Sequence, residues 1–321
     1  MDQRLIDLHH DYVHHHFDRR KFLEQAGRLV GGTAAATALL PVLDCDYALA
    51  QTVAADDPRI VTEMVTFKGV TGDVKAYLAR PRAPGRYGAV VVVHEIGGLN
   101  PHTQDVARRL AVEGFVGLGV DFLSPVGGTP PPNPGGGRGA GAPAPAAAAA
   151  PAPAGAAPAG GAAPAGGGGI VALANRLDPA QTVGNGVEAA KYLRTRDDVN
   201  GKIGVVGFCW GGRVAQNISV TDPSLNAVTV FYGQPPNPTL APKLNAPILM
   251  NYADVMLDMN NTGEATLYVQ ELKKLGKVHE FHVYPGAQHG FNNETNTPRY
   301  NKAAADLAWN RTIAWFKKYL S

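Results

Sequence analysis

The apolar positions of this chain follow two alternating rhythms. Short, nearly unbroken apolar runs recur at residues 89–93, 115–120, 203–206, 227–232 and 247–252. The run Val90-Val91-Val92-Val93 is wholly β-branched. Runs of this kind belong to strands covered on both faces, which is the signature of a parallel sheet. Between them lie segments of helical spacing. Residues 103–113 carry Val106 and Leu110 and stop at Gly114; residues 179–194 carry Val183, Val187, Ala190, Tyr192 and Leu193. Further helices are predicted over 213–218, 263–275 and 300–319, the last with Ala304, Leu307, Ala308, Ile313, Trp315 and Phe316 on its apolar side. Residues 60–67 and 74–79 alternate weakly about Gly72 and predict an antiparallel hairpin; residues 278–284 predict one more strand. Alternating strands and helices with short connections imply an α/β fold: a three-layer, doubly wound sandwich around a mostly parallel central sheet.

Two stretches stand outside this pattern. Residues 127–169 are almost entirely Ala, Pro and Gly, with Arg138 as the one charged side chain. Such a composition cannot bury enough side chain to offset its ordering entropy, so a disordered insertion is expected within a domain spanning 51–321. It follows a strand end, on the side where open α/β sheets bind ligands. The other stretch is 1–50. Asp18-Arg19-Arg20-Lys21-Phe22-Leu23 is followed by a weakly apolar run from 26 to 43 and by Ala48-Leu49-Ala50 before Gln51. Twin arginines, an apolar run and an A-x-A site resemble a twin-arginine signal peptide. That predicts export of the folded chain by the twin-arginine machinery, to a bacterial periplasm or beyond. The apolar run is shorter than the ~20 residues that a spanning helix needs. Cys45 follows Asp44, a poor fit to a lipidation box, and His9, His10, His14, His15 and His16 fall in the part expected to be removed.

Composition narrows the function. With 321 residues, 45% of them hydrophobic, the chain can form one large α/β domain. A formal net charge of +2 points to no polyanion, so no nucleic-acid partner is expected. The two cysteines are Cys45 and Cys209, and no zinc-type pairs occur. No cofactor or metal is expected. A metal reading through His94 and Glu95 lacks further ligands at metal spacing.

The chemistry centres on Gly207-Phe208-Cys209-Trp210-Gly211-Gly212, which follows a predicted strand and precedes a predicted helix. Cys209 occupies the nucleophile position of a G-x-S-x-G elbow, with Cys replacing Ser. So tight a turn requires small residues on either side, and the helix that follows aims its first N–H groups at the sulfur, where they favour a thiolate and can hold an oxyanion. The competing reading is a buried, inert Cys at a tight corner. A thiolate nucleophile needs a base and an acid behind it. His289 lies in a Gly-flanked loop after the last predicted strand, and Asp254 and Asp258 both lie in the loop after the strand ending at Tyr252. The order nucleophile, acid, histidine is that of α/β-hydrolases. Glu95, at another strand end, is either an acid–base group or a paired structural carboxylate.

Three motifs taken together resemble the dienelactone hydrolase family: Gly-Phe-Cys-Trp-Gly-Gly at 207–212, His-Glu-Ile-Gly-Gly at 94–98 and Tyr-Pro-Gly-Ala-Gln-His-Gly-Phe at 284–291. The resemblance covers roughly residues 55–321 apart from the insertion. It implies an α/β-hydrolase fold and a Cys-His-Asp triad that opens ester or lactone bonds in a small-molecule substrate. Carried over, Cys209 is the nucleophile and His289 the base, and the N–H groups of Trp210 and Ile96 form the oxyanion hole. Glu95 contacts the cysteine and helps generate the thiolate on substrate binding. Asp258 keeps the family's spacing to the following helix and is preferred to Asp254 as the acid, although the loop is longer than the family pattern. The insertion replaces the loop in which lactone-specific members carry a substrate-binding arginine, and Arg138 is no convincing substitute. Two other functions fit the same fold: an exported carboxylesterase acting on envelope or polymer esters, and a non-catalytic binding protein that keeps the elbow as scaffold.

Overall fold

The β-branched run becomes β3 (Tyr87–Val93), whose side chains from Ala89 to Val93 are all buried. It lies between two parallel neighbours, β4 (Val116–Val120) and β5 (Val199–Phe208). In this computed structural model, residues 4, 5, 8, 19–30, 32, 49–131 and 167–321 are described. β1 (Ile60–Gly69) and β2 (Gly72–Pro81) form the expected antiparallel hairpin on one flank; β6 (Ala227–Phe231), β7 (Ile248–Ala253) and β8 (His279–Tyr284) extend the sheet on the other. The spatial order is β1-β2-β4-β3-β5-β6-β7-β8, antiparallel only at the β1–β2 and β2–β4 pairings. The predicted α/β-hydrolase architecture, a mostly parallel sheet with helices on both faces, is what the chain adopts.

Helices cover both faces. α1 (Arg19–Val30) precedes the sheet. α2 (Pro101–Val112) and α7 (Lys302–Leu320) pack on one face through Val106, Leu110, Trp315 and Phe316. Between them in sequence come α3 (Gly167–Ala174), α4 (Pro179–Arg194), α5 (Trp210–Thr221) and α6 (Met259–Lys274). The last three pack on the opposite face through Ala189, Leu193, Val214, Ile218, Tyr268 and Leu272. Among the described residues, no helix is long and apolar enough to cross a membrane.

Register decides what stands beside what at the carboxyl ends of the strands. Val93 pairs with Gly207, so His94 and Glu95 emerge beside the elbow. Phe208 pairs with Phe231, which delivers Tyr232 next to Cys209. Ala253 pairs with Tyr284, so the acid loop and the histidine loop leave the sheet together. A parallel α/β sheet gathers its ligand-contacting loops on that edge.

Two elements differ from the pattern reading. β5 begins at Val199 and runs through Asn200-Gly201, expected as a turn, with Gly201 at φ +91° supplying the kink. α3 starts at Gly167, inside the stretch expected to be disordered; Val171 and Ala174, one helical turn apart, bury its inner side. The other end of that stretch is ordered as well. Thr129 donates to Asp121 through both its N–H (2.9 Å) and its hydroxyl (2.7 Å), and accepts from the N–H of Leu99 at 2.8 Å. The body of the expected insertion, with Arg138, lies outside the described residues, as do Cys45, the five N-terminal histidines named above and most of the expected leader.

A buried ionic cluster ties three distant segments together. Asp105, on α2, meets Arg108 at 3.1 Å and Arg109 at 2.6 Å; Arg109 also meets Glu294 at 2.6 Å. Burial would raise the Glu294 carboxyl, but the hydrogen bond and charge of His102, with the charge of Arg109, hold it at about 2. Arg108 Nε donates to the carbonyl of Val53 at 2.6 Å, and the Val53 N–H donates to Asp105 at 2.9 Å. The cluster fixes both the segment entering the fold and the loop beyond His289.

Candidate active site

Steric demand defines the corner that holds Cys209. The residue has φ +54° and ψ −119°, a region that a side-chain-bearing residue occupies only when its surroundings impose it. A Cβ on Gly207 would lie 2.1 Å from the carbonyl oxygen of Gly211; one on Gly211 would lie 2.3 Å from the oxygen of His94 and 2.4 Å from that of Val93. The two glycines that frame the cysteine are therefore required by packing. The Cys209 N–H donates to Phe231 O at 3.0 Å, anchoring the turn to the neighbouring strand. α5 begins at Trp210, and its first N–H groups have no partner within the helix.

His289 reaches the sulfur from the loop after β8. Its Nδ1 lies 2.8 Å from Oδ2 of Asp258, and the imidazole shares the cleft with Cys209, whose charge it feels. Burial disfavours its charged form, but the charges of Cys209 and Asp258 and the hydrogen bond to Asp258 outweigh this and raise the imidazole from 6.5 to about 10. A protonated imidazole between a sulfur and a carboxylate is the state that this arrangement favours. Asn261 donates to Oδ1 of Asp258 at 2.8 Å and so holds the carboxylate in place.

Asp254 has a different task. It accepts from the N–H of Gly286 at 2.8 Å and from that of Met256 at 3.0 Å, and these two backbone bonds lower its carboxyl. It ties the acid loop to the histidine loop and makes no contact with His289. The carboxylate behind the imidazole is Asp258.

Glu95, which the resemblance placed beside the thiol, is held by two other side chains. Its Oε1 accepts from the Tyr232 hydroxyl at 3.0 Å and its Oε2 from Asn293 Nδ2 at 2.7 Å. Each oxygen thus has a side-chain donor. His94 beside it is buried, and burial lowers its imidazole despite the hydrogen bond to Glu95 and the nearby charge of Asp121. Its Nδ1 donates to Glu95 O at 2.5 Å, and its Nε2 accepts from the Phe122 N–H at 3.2 Å. Both nitrogens therefore serve to shape the loop. The ring also stacks on Trp210, 5.4 Å centroid to centroid. Ile96 and Trp210, expected to supply the oxyanion N–H groups, line the same cleft as Cys209 and His289.

With this geometry in hand, comparison with known proteins decides the kinship. The model of the dienelactone hydrolase family matches residues 74–320. The chain belongs to the dienelactone hydrolase family. Membership makes it a hydrolase of ester or lactone bonds. A provisionally named carboxymethylenebutenolidase of Escherichia coli K12 is 29% identical over 279 residues, covering 83% of this chain and 90% of the relative. Another of that provisional name, from Saccharolobus solfataricus, is 29% identical over 76% of this chain and 94% of its own length. In fold, the chain resembles the crystal structure of a provisionally named dienelactone hydrolase from Klebsiella pneumoniae (TM-score 0.63, 24% identity), over 81% of this chain and 99% of that one. It also resembles an acylaminoacyl peptidase of Pyrococcus horikoshii (TM-score 0.55, 13% identity), over 82% of this chain and 42% of the peptidase.

Sequence patterns overlooked three side chains that this family member places at the site. Tyr232 sits at the end of β6 with φ +40° and is fully buried. Its position after an apolar run beside the elbow strand was the available signal. Asn293 and Asn261 lie in segments whose composition does not distinguish them from ordinary loop and helix positions.

Proposed function

We propose that the protein hydrolyses carboxylic esters or lactones through a Cys209–His289–Asp258 triad, with a covalent acyl-thioester on Cys209. The observation that carries this reading is the His289 imidazole held at 2.8 Å by Asp258 in the cleft onto which the elbow presents Cys209. The Cys209 thiolate attacks the carbonyl carbon, and the carbonyl oxygen becomes an oxyanion near the N–H groups of Trp210 and Ile96. Collapse forms the thioester and expels the alkoxide, which takes the proton from His289 and leaves as the alcohol. Neutral His289 then removes a proton from water. The resulting hydroxide attacks the thioester, the acid departs, and the thiolate and imidazolium are restored. Asp258 orients the imidazole and stabilises its charged form.

Glu95 acts through position in this reading. Tyr232 and Asn293 hold its carboxylate in a fixed orientation beside the elbow. Export by the twin-arginine route, to the periplasm or outside, belongs to the same proposal and rests on Arg19-Arg20 and the Ala48-Leu49-Ala50 site; fractionation of cells expressing the full chain tests it.

The decisive experiment is turnover of p-nitrophenyl acetate by the purified protein and by Cys209→Ala. The variant should lose all measurable turnover, and Cys209→Ser should retain little, because serine does not ionise as a thiol does. Undiminished activity in Cys209→Ala would remove the mechanism.

A further inference from the structure

The cleft that opens at Cys209 is long. Trp210, Arg213, Asn217 and Thr221 all line it, a stripe at spacings of three and four that runs the whole of the 12-residue helix α5. At 1.5 Å per residue the floor is about 18 Å long. Val171 and Ala174 of α3 supply an apolar wall, and Lys243 reaches the cleft from the turn before β7. The cavity volume is about 970 Å³, at the upper end of the ~300–1,000 Å³ that small-molecule sites span. A small lactone ring leaves most of this space unfilled.

Its charge is one-sided. Arg213 and Lys243 line the cleft, while no Asp or Glu lines it among the described residues. The carboxylates around it are engaged elsewhere: Glu264 accepts from Gln234 at 2.9 Å, Asp258 holds His289, and Glu95 is bound by Tyr232 and Asn293. Arg213 and Lys243 have no ion-pair partner among the described residues. Arg213 is exposed and follows the nucleophile by one helical turn, about 6 Å along the axis.

We propose that this cleft takes an elongated ester carrying a carboxylate a few carbons from the scissile carbonyl, with Arg213 as the residue that binds the carboxylate and Lys243 as a second cation. The substrate class is the half-ester of a dicarboxylic acid, its methylene chain lying against Val171 and Ala174. The guanidinium presents paired donors matched to a carboxylate. The proposal rests on the hydrolase reading above and deepens it by naming what the cleft selects.

The test compares 4-nitrophenyl hydrogen adipate with 4-nitrophenyl hexanoate, which share a chain length and differ in the terminal charge. The ratio of their kcat/KM values should favour the adipate by about tenfold or more at low salt and narrow in high salt. Arg213→Gln should lower that ratio by about tenfold, and Arg213→Lys should keep most of it. A ratio near one in the natural protein, or one that Arg213→Gln leaves unchanged, overturns the proposal. Calorimetric binding of monomethyl adipate and methyl hexanoate to Cys209→Ala separates the two readings. Selective binding without turnover by the natural protein defeats the hydrolytic mechanism and leaves the subsite standing; turnover without selectivity defeats the subsite alone.

Discussion

Tyr232 donates its hydroxyl proton to Glu95 across 3.0 Å, while its ring lies 5.0 Å from the His289 imidazole, centroid to centroid. One buried side chain thus touches both the carboxylate and the base. Burial, with the charges of Glu95 and Cys209, raises the Tyr232 hydroxyl well above the ordinary tyrosine value, so it remains a donor at every working pH. Tyr232→Phe removes that donor and keeps the ring. A hydrogen bond to a charged group is worth ~1.5–3 kcal/mol, so kcat/KM should fall about ten- to a hundredfold with the fold intact. Kinetics alongside circular dichroism checks this; unchanged kinetics would make the contact merely structural.

The elbow predicts a sharp contrast between two glycines. A methyl group on Gly211 would collide with the carbonyl oxygens of His94 and Val93, whereas Gly276, at φ +62°, faces open space. Gly211→Ala should cost on the order of 3 kcal/mol or more, and Gly276→Ala about 1 kcal/mol from backbone strain alone. Urea unfolding of the two variants measures the difference.

The elbow was legible in the sequence because steric necessity leaves a written trace. Only small residues fit at 207 and 211, and the β-branched run at 90–93 has no other home than a doubly covered strand. Asp258 is preferred to Asp254 on spacing alone; the structure brings Asp258 to the imidazole and gives Asp254 the N–H groups of Gly286 and Met256. What the sequence concealed depends on register between distant strands. Nothing local to Asn293 says that it reaches Glu95, 198 residues away. Nothing in the Gly-rich approach to α3 says that Val171 and Ala174 will wall a cleft. The resemblance placed Glu95 at the thiol, while the chain supplies it with two other partners.

The two aspartates should therefore separate in function. Asp258→Asn should lower kcat about 10³- to 10⁴-fold, the order found when the orienting acid of a triad is neutralised. Asp254→Asn should change kcat no more than a few-fold and should lower thermal stability instead, since it loosens the tie between two loops. Asp254 is lowered in the folded state, so its contribution to stability is present above the ordinary aspartate range and fades as pH falls through the folded value. Steady-state kinetics and melting curves at pH 7 and pH 3 distinguish the two roles.

His289 gives the opposite sign. Its folded-state value, about 10, lies above the ordinary 6.5, so the folded chain holds a proton there that the unfolded chain releases. The stabilisation is full below about pH 6.5 and is lost as pH rises through about 10. Nuclear magnetic resonance of the imidazole should show His289 still protonated at pH 8. In Cys209→Ala, which removes the sulfur whose charge helps to raise it, its titration should move down. A histidine already neutral at pH 7 in the natural protein would contradict the ion-pair account.

The central claim is that Cys209 becomes acylated, and the most direct measurement is mass spectrometry of enzyme quenched in acid during the first turnovers of p-nitrophenyl acetate. The account predicts one added acetyl group on the peptide containing Cys209, formed faster than steady-state turnover and stabilised in Asp258→Asn. Sustained hydrolysis with no acyl group on Cys209 in the quenched natural protein or in that variant would contradict it.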